Sequence, residues 1–505
     1  MQIPKEVQNI IKALNKKGFE AYAVGGCVRD FLLEKKPSDW DVTTNAKPQE
    51  IQKIFPENFY NNQFGTVTVQ TDSQETTLKN IEITTYRIEA EYTDKRHPDK
   101  IEFASSLEED LSRRDFTINA MAMAPESDPA VLREDRLCDT KRSKPVQTEG
   151  EVPKPRLIDP FNGQEDLENK IIRAVGDANE RFNEDALRML RAIRFAVQLG
   201  FEIEKNTFEA IKKNAGLLEK ISKERIRDEF EQMILSDKPD EAILTLKDSK
   251  LMSFVIPELL HGIRVKQNKH HVYDVFEHSV LSLKFCKSPK LEVRLAALLH
   301  DIAKPAVKHG EGYNSTFYNH DHLGAKFAKS FLQRLHFPNE IIDKVYTLVY
   351  NHMFYYDMGI VTEAAVRRMI KRVGKENLKD LIELRIADRL GSGAPKAKPY
   401  RLRHLEYMFD KVQYDPVSVK MLKINGDDLM RELKLQPSPT IGAILDALLA
   451  EVIENPKLNE KPYLLARSHD LARLDLTKIR EFAKEKIETK KEEEDTAIKK
   501  RHWVK

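Results

Sequence analysis

The chain has 505 residues, which is too long for one hydrophobic core and predicts several domains. Hydrophobic residues make up 41% and charged residues 32% of the sequence, as in a soluble globular protein, and no apolar run approaches the ~20 residues that span a bilayer. The net charge is only +2, so a nucleic-acid partner would have to be bound by a locally basic face rather than by overall charge.

The N-terminus and the cysteines give no sign of export. The first twenty residues predict an amphipathic helix that lacks the continuous apolar segment of a secretion signal. The three cysteines, Cys27, Cys138 and Cys286, form no CxxC pattern, so neither a disulfide framework nor a thiolate metal site is predicted. We therefore expect a cytoplasmic protein that does not contact membranes.

The first part of the chain predicts a small mixed domain. Up to about residue 123, helical segments alternate with five predicted strands: AYAVGG, SDWDVTT, GTVTVQ, NIEITTYR and KIEFA. From Pro125 to Arg156 this pattern stops, and five prolines punctuate a charged segment with almost no aromatic residues. We interpret residues 125–156 as a flexible insertion.

After residue 157 the sequence predicts helices to its end. The segment EDALRMLRAIRFAVQLG has one apolar face, and Gly200 is its predicted stop. A second helical block, from about residue 259 to 391, carries most of the histidines, and a third begins near Lys396. The charged segment that starts at Lys478 predicts a solvated helix or a disordered tail. No internal repeat is evident.

Two aspartates stand in the predicted strand SDWDVTT. Side chains at positions i and i+2 of a strand share a face, so Asp39 and Asp41 are expected side by side, with Trp40 and Val42 on the other face. Two carboxylates about 5 Å apart repel each other by roughly 3 kcal/mol at an effective dielectric near 20. The pair is therefore expected to bind a cation or to lie fully in water.

A glycine pair precedes these aspartates. Gly25 and Gly26 follow the first predicted strand, where glycine allows a tight turn and the close approach of a ligand. Backbone N–H groups there and the Arg29 guanidinium can donate to a phosphate. Glu82, which alternates with isoleucines, is either a third carboxylate facing the same metal or an exposed strand residue. The combination suits phosphoryl or nucleotidyl transfer, with Mg²⁺ between the paired carboxylates.

A helix further along the chain carries a candidate base-reading pair. Asp185 and Arg188 are i, i+3 neighbours, which is either an ordinary surface ion pair or a protein template for a base. A carboxylate only accepts hydrogen bonds and a guanidinium only donates them. Cytosine and adenine present an amino group beside a ring-nitrogen acceptor, whereas guanine and uracil present the reverse. The pair would therefore accept C and A and reject G and U, and Arg191 and Arg194 would extend the same face toward a triphosphate.

Five segments in this order resemble the motifs of class II tRNA nucleotidyltransferases and their poly(A) polymerase relatives. They are GGCVRDFLLEKKPSDWDVTT, RRDFTINAMAM, LIDPFNGQEDL, RFNEDALRMLRAIRFA and ISKERIRDEF, and they cover residues 20 to about 235. The resemblance implies an α+β fold with a polymerase-β-like nucleotidyltransferase head followed by all-α neck and body domains. It implies Mg²⁺ at Asp39 and Asp41, with tRNA, CTP and ATP as substrates.

The resemblance also implies the nucleotide contacts. These would come from Gly25, Gly26, Arg29 and Arg114, from Asp115 near the ribose, and from Asp185, Arg188, Arg191 and Arg194 at the base and triphosphate. The chain departs from the family at residues 125–156, where a short hairpin is usual, and this insertion puts the geometry between head and neck in doubt.

Two segments bear on which member of the family this is. NNQFGTVTVQ follows the carboxylate strand and looks more like the tRNA enzymes than the poly(A) polymerases, which have a basic, aromatic stretch there. RIEAEYTDKRHPDKIEF fills the place of a flexible loop that enzymes adding only CC are implied to lack. An enzyme that adds only the final A remains open, and so does a poly(A) polymerase.

The histidine-rich block resembles the HD phosphohydrolase superfamily over about residues 270 to 390. Imidazole and carboxylate groups suit a divalent transition metal that activates water. The resemblance implies metal ligands at His278, His300, Asp301 and Asp388, with His320 and His352 completing the shell of a second metal. INGDDLMRELKLQPSPTIGAILDAL resembles the segment that follows such domains and implies a tail that grips tRNA.

The sequence thus predicts four parts and a main function with two alternatives. The parts are a nucleotidyltransferase head (1–156), a helical neck and body (157–260), an HD domain (261–395) and a helical tail (396–505). The function expected first is addition of C, C and A to the tRNA 3′ end, with hydrolysis of phosphoesters by the HD domain. The alternatives are a poly(A)-adding or A-adding enzyme, and an HD phosphohydrolase whose head only binds RNA. The sequence gives no oligomeric state.

Overall fold

The head is built on a seven-stranded sheet. The structure, a computed structural model, describes residues 2–61, 65–90, 100–125, 155–267, 272–311, 314–413 and 419–504. The strands of the sheet are β1 Ala21–Val24, β2 Asp41–Thr44, β3 Asn58–Asn61, β4 Thr66–Gln70, β5 Asn80–Thr85, β8 Ala122–Ala124 and β9 Arg156–Ile158. Their order across the sheet is β3-β4-β5-β2-β1-β8-β9. A separate antiparallel pair is formed by β6 Arg87–Ala90 and β7 Lys100–Phe103.

The predicted strands of the head are found, with one shift. In SDWDVTT the strand begins only at Asp41, so Ser38, Asp39 and Trp40 precede it. The predicted alternation of side chains between the two faces is nevertheless found from Asp39 to Val42. Trp40 and Val42 are buried, whereas Asp39 is exposed and Asp41 is half-buried. Four strands were not predicted, namely β3, β6, β8 and β9, and all are short.

The insertion enters and leaves the sheet through a paired hairpin. Ala122 lies opposite Ile158 and Ala124 opposite Arg156 in the antiparallel pair of β8 and β9. Most of the predicted flexible insertion, residues 126–154, lies outside the described residues. Because β8 and β9 pair directly, the two ends of the insertion lie side by side in the head sheet.

Short helices cover the head sheet. The N-terminal helix Lys5–Lys16 buries Val7, Ile11 and Leu14 against the sheet, as its amphipathic sequence predicts. The other helices of the head are Gly26–Leu32, Pro48–Ile54, Thr76–Lys79, Leu107–Ser112 and a 3₁₀ turn at Thr117–Asn119.

The chain is helical beyond the head, which confirms the predicted α+β class. The helix Leu187–Leu199, here called the arginine helix, begins three residues later than its pattern suggests and ends at Gly200 in the left-handed region. The other neck and body helices are Gly163–Glu168, Ala178–Glu184, Lys205–Asn214, Lys223–Leu235, Pro239–Asp248 and Met252–Val255, with short strands Ile171–Ile172 and Glu202–Ile203 pairing in parallel.

The histidine-rich block and the tail complete the chain. The block contains the helices Val275–Phe285, Leu291–Leu299, His320–Arg334, Asn339–Asn351, Glu363–Val373 and Leu378–Gly391. The helices that follow are Tyr400–Gln413, Gly426–Leu433, Pro439–Glu454, Lys461–Leu471 and Leu476–Arg501.

The last helix joins two hydrophobic cores. Ile479 and Ala483 are buried in a core that belongs to the tail alone. At its far end, Ile498 and Val504 pack into the main core of the molecule. The charged C-terminal segment is therefore a helix whose few apolar side chains pack and whose other side chains are mostly exposed, as the solvated-helix alternative predicts. Within the described ranges, no helix is both long and apolar enough to cross a bilayer.

Candidate active site and metal centre

Two carboxylates of the head are brought together by the register of a parallel strand pair. β2 and β5 pair in parallel with Asp41 opposite Glu82. Ile81 and Ile83 are fully buried, so Glu82 points away from the core on the same side of the sheet as Asp41. The sequence alternation that suggested Glu82 as a third carboxylate thus agrees with its place beside Asp41.

Asp39 lies just before the strand and acts on Asp41 through its charge. It is exposed and accepts a hydrogen bond from the Ser38 hydroxyl at 3.1 Å. Burial raises the pKa of Asp41 to about 6, the charge of Asp39 adds to the rise, and Arg114 opposes it. A half-buried carboxylate with acidic neighbours and a raised pKa is the environment that a divalent cation stabilises.

A cavity of about 690 Å³ lies over these carboxylates. Its lining includes the carboxylates of Asp41 and Glu82 and the guanidinium groups of Arg87, Arg113 and Arg114. This volume falls within the usual range for small-molecule sites, about 300–1,000 Å³. Oxygen ligands suit Mg²⁺, and guanidinium groups suit phosphate oxygens, so the walls fit the two components of a metal-bound nucleotide.

Gly25 makes room for one of these arginines. Its φ of +84° is unfavourable for any residue with a side chain. A Cβ at this position would also lie 2.8 Å from the Nη1 atom of Arg114. Its backbone N–H donates to the Met121 carbonyl at 3.2 Å, which fixes the turn. Gly25 is therefore needed for the position of Arg114 as well as for the turn predicted from the sequence.

A polar network runs from this turn to the arginine helix. Arg29 forms an ion pair with Asp30 at 2.7 Å and donates to the Asn119 side chain at 2.8 Å. Asn119 in turn donates to Asp115 at 3.0 Å, and Asp115 accepts from the Arg191 Nε at 2.8 Å. Burial alone would raise the pKa of Asp115, but Arg191 and Asn119 outweigh it and lower the pKa to about 2.

Asp185 and Arg188, the predicted base-reading residues, each contact another charged residue in this structure. Asp185 lies between two helices, accepts from the Leu187 N–H at 3.0 Å, and forms an ion pair with Arg225 at 2.7 Å. Arg188 pairs with Glu184 at 2.6 Å and donates to the Arg113 carbonyl at 2.9 Å. The arginine helix begins after Asp185, so this carboxylate lies outside its first turn.

Several polar residues of this site were missed in the sequence. Arg225 and Glu229 stand four residues apart on the helix Lys223–Leu235, and Glu229 pairs with Arg194 at 2.6 Å. Their i, i+4 spacing indicates only a common helix face. Nothing in the sequence assigns that face to the arginine helix, because the partners are separated by 35 and 40 residues.

The predicted ligands of the histidine-rich block converge at one buried point. His278 lies within the helix Val275–Phe285 and Asp388 within Leu378–Gly391. His300 and Asp301 follow the helix Leu291–Leu299, His320 begins the next long helix, and His352 follows Asn339–Asn351. All six side chains are buried. The block brings together the whole predicted set.

The atoms of this cluster are within range of a shared ion. The Nε2 atoms of His278 and His300 are 3.0 Å apart, and each lies within 3.2 Å of the Asp301 Oδ2. The Asp301 Oδ1 lies 3.3 Å from His320 Nε2 and 3.8 Å from His352 Nε2. Asp301 thus stands between two groups of histidines, as a carboxylate that bridges two metals would.

The ring orientations favour metal binding. The Nδ1 atoms of His300, His320 and His352 each face a backbone carbonyl three residues earlier, at 2.9, 2.7 and 2.6 Å. A carbonyl only accepts, so Nδ1 carries the proton and Nε2 presents its lone pair to the cluster. The Nε2 atoms of His320 and His352 have no hydrogen-bond partner among the described residues. This arrangement fits a divalent transition metal.

Basic side chains border the cluster. Lys304 lies 2.6 Å from Asp301 and donates to the Gln267 side chain, and Arg385 pairs with Asp388 at 2.6 Å. Burial favours the neutral form of His278, but Asp301 and Asp388 outweigh it and raise its pKa to about 9. A cavity of about 500 Å³ opens beside the cluster and is also lined by Arg389 and Tyr318.

Models of known protein families match three parts of the chain. Residues 21–141 match the poly A polymerase head domain. Residues 200–262 match a probable RNA- and SrmB-binding site of polymerase A, and residues 317–467 match a putative tRNA nucleotidyltransferase domain 2.

Curated and solved proteins give longer matches. The CCA-adding enzyme of Ligilactobacillus salivarius is 32% identical over 470 residues, which is 92% of this chain and 96% of that protein. The CCA-adding enzyme of Pediococcus pentosaceus is 43% identical over 256 residues, 50% of this chain. The crystal structure of the Bacillus stearothermophilus CCA-adding enzyme in complex with CTP covers 94% of this chain and 98% of its own, at 27% identity and a TM-score of 0.56.

Proposed function

Since the chain belongs to the CCA-adding enzyme family of nucleotidyltransferases, we propose that it adds C, C and A to the 3′ end of tRNA from CTP and ATP. The observation that carries the proposal is the cavity that two carboxylates and three arginines line together. It offers ligands for Mg²⁺ and for a triphosphate in one place.

The residues of the head would divide the work between metal and phosphates. Asp39 and Asp41 would hold Mg²⁺, with Glu82 beside them, and Arg114 would bind the phosphates across the cavity. When bound, two Mg²⁺ ions would lower the pKa of the tRNA 3′-hydroxyl and neutralise the departing pyrophosphate. Arg29 and the backbone at Gly26 would orient the triphosphate, and Asp115 would lie near the ribose.

Base choice would use Asp185 and Arg188 after an exchange of partners. Asp185 would release Arg225 to accept from the amino group of C or A, and Arg188 would release Glu184 to donate to the ring nitrogen. Guanine and uracil would leave both groups unsatisfied. Arg191 and Arg194 would face the triphosphate.

The test is a pair of substitutions at the metal carboxylates. We expect Asp39→Ala with Asp41→Ala to abolish nucleotide addition to tRNA, because the site would then lack the carboxylates that are proposed to hold Mg²⁺ against the triphosphate. Lys36→Ala with Glu75→Ala is the matched control, because this exposed ion pair of the head lies outside the cavity. Nucleotide addition by the carboxylate variant at the wild-type rate would refute the assignment of the metal.

The histidine cluster supports a second activity. We infer that it holds one or two divalent transition metals and hydrolyses phosphoesters, as the HD resemblance implies. The inward lone pairs of His300, His320 and His352 carry this inference.

A pair of variants separates the two activities. His300→Ala with Asp301→Ala should lose bound metal, measured by elemental analysis, and should lose phosphatase or cyclic phosphodiesterase activity while keeping nucleotide addition. His322→Ala is the control, since this half-exposed histidine points outside the cluster. If nucleotide addition collapses instead, the cluster has a structural role. If only the hydrolytic activity is found in the wild-type protein, the head is an RNA-binding module.

Two further expectations are carried as proposals. We propose that the chain is divided into a head (1–156), a neck and body (157–260), an HD domain (261–395) and a tail (396–505) that grips tRNA by its shape and backbone charge. Because tRNA, CTP and ATP meet in the cytoplasm, we infer that the protein acts there.

A further inference from the structure

One phenylalanine stands at the boundary between head and neck. Phe195 is on the arginine helix and only 6% exposed. Its ring meets that of Phe116, a residue of the head, edge to face, with centroids 5.8 Å apart and an interplanar angle of 82°. The contact joins the two parts of the chain that carry the proposed nucleotide site.

Three guanidinium groups surround this one ring. The Cζ of Arg194 lies 4.0 Å from the ring centroid, and those of Arg29 and Arg191 both lie 5.2 Å from it. Each of the other cation–ring contacts in the described part of the chain involves a single cation. Arg29 comes from the head, whereas Arg191 and Arg194 come from the arginine helix itself.

The carboxylates nearby each pair with only one or two of these arginines. Glu229 pairs with Arg194 at 2.6 Å and with Arg191 at 3.6 Å, Asp115 pairs with Arg191, and Asp30 pairs with Arg29. The cations repel one another, and none of these three carboxylates pairs with all of them. The ring is the one feature that all three share, and the negative electrostatic potential of an aromatic face attracts cations within about 6 Å.

We propose that Phe195 is a positioning residue of the nucleotide site: its ring holds Arg29 of the head against Arg191 and Arg194 of the neck, at the spacing that receives the triphosphate. This inference rests on the proposed function, because it assigns these three arginines to the nucleotide. A residue that merely fills space at the junction needs volume and hydrophobicity. A residue that gathers cations needs the electron density of the ring face.

Stepwise fluorination of the ring separates these roles. Phe195 in the full-length protein would be replaced by mono-, di- and trifluorophenylalanine. Each fluorine weakens the negative electrostatic potential of the ring face, while the ring becomes more hydrophobic and changes little in size. We expect the KM for CTP and ATP to rise with each fluorine, to about tenfold for the trifluoro variant, with kcat nearly unchanged. The same series at Phe230, a buried ring of the neck region that packs edge to face on Phe331, is the control.

Conservative variants give a second readout. Phe195→Tyr keeps an electron-rich ring and should retain the KM for CTP, whereas Phe195→Leu should raise it at least as much as trifluorination. If KM stays flat across the fluorinated series while the wild-type enzyme adds nucleotides, the positioning role is refuted and the proposed function stands. If the wild-type protein neither binds CTP by calorimetry nor adds it, the proposed function fails first and this inference with it.

Discussion

At the scale of single residues, charged side chains that are proposed to bind the nucleotide already have other partners in this structure. Arg114 reaches the cavity only because Gly25 has no side chain, and Asp185 and Arg188 are each bound to another charged group. Such contacts keep the buried charges paired, since an unpaired buried charge is costly. Nucleotide binding would exchange one set of partners for another.

Gly25→Ala should harm nucleotide binding more than stability. A methyl group there would meet Arg114 at 2.8 Å, and the φ of +84° adds strain of about 1–2 kcal/mol. Gly176→Ala is the matched control, because that glycine has a φ of +65° with open space around its Cα. Both variants should lose similar stability in urea unfolding, but only Gly25→Ala should raise the KM for CTP, by tenfold or more. Equal KM values would remove Gly25 from the site.

Asp185→Ala should relax base choice. Without its carboxylate the site loses the acceptor that separates C and A from U and G, so misincorporation of UTP and GTP should rise by about ten- to a hundredfold. Asp177→Ala is the control, because Asp177 caps the helix Ala178–Glu184 from outside the site and should affect only stability. Unchanged discrimination against UTP and GTP in Asp185→Ala would contradict the template assignment.

At the scale of elements, the sequence predicted which way side chains face within a strand, but not which strands and helices become neighbours. The alternation in NIEITTYR predicted that Glu82 would face away from the core, because burial of Ile81 and Ile83 forces it. The register that sets Glu82 beside Asp41 depends on which strands become neighbours, and the sequence does not contain that in any local pattern. The same holds for Arg225, whose partner Asp185 lies 40 residues earlier.

The histidine cluster was predicted more completely than the arginine helix. Its six residues were predicted from a family resemblance that extends over several helices. The structure places each of the six in or next to one of these helices and brings them together. The i, i+3 placement of Asp185 and Arg188 on one helix assumed a start at Glu184, whereas the helix begins at Leu187, and helix ends are where sequence reasoning errs by a few residues.

The β8–β9 hairpin predicts that the insertion can be removed. Ala124 lies opposite Arg156, so replacing residues 125–155 by Asn-Gly would join the strands through a two-residue turn in the same register. We expect this variant to fold and to add nucleotides at the wild-type rate. A control with Ala-Ala in place of Asn-Gly should be less stable, because neither residue favours a positive φ. A soluble, folded Asn-Gly variant without nucleotide addition would give the insertion a direct role.

At the scale of the whole molecule, residues 419–487 contribute to a core of their own, and the end of the last helix packs against the main core. The end of the last helix returns to the helix Tyr400–Gln413, where His502 pairs with Asp410 at 2.8 Å and the Tyr407 hydroxyl donates to Asp495. Ile498 and Val504 pack into the main core at the same place. These contacts form a seam that holds the end of the last helix against the helix Tyr400–Gln413.

Truncation after Glu494 should weaken tRNA binding without affecting nucleotide binding. The seam would lose Asp495, Ile498, His502 and Val504, while the tail core around Ile479 would keep its packing. We expect the KM for tRNA to rise about tenfold with the KM for CTP unchanged. Trp503→Ala is the control, because that side chain is 79% exposed. A rise in the KM for CTP would show that the seam supports the head as well.

The central claim concerns what the whole enzyme builds, and primer extension with Mg²⁺ tests it most directly. Three primers would each be offered labelled CTP or ATP, or both: tRNA ending before CCA, tRNA ending in CC, and an unstructured RNA. We predict C, C and A on the first tRNA followed by a stop, A alone on the second, and no extension of the third. Extension of the CC-ended tRNA alone, long A tails on the unstructured RNA, or no addition to any primer would contradict it.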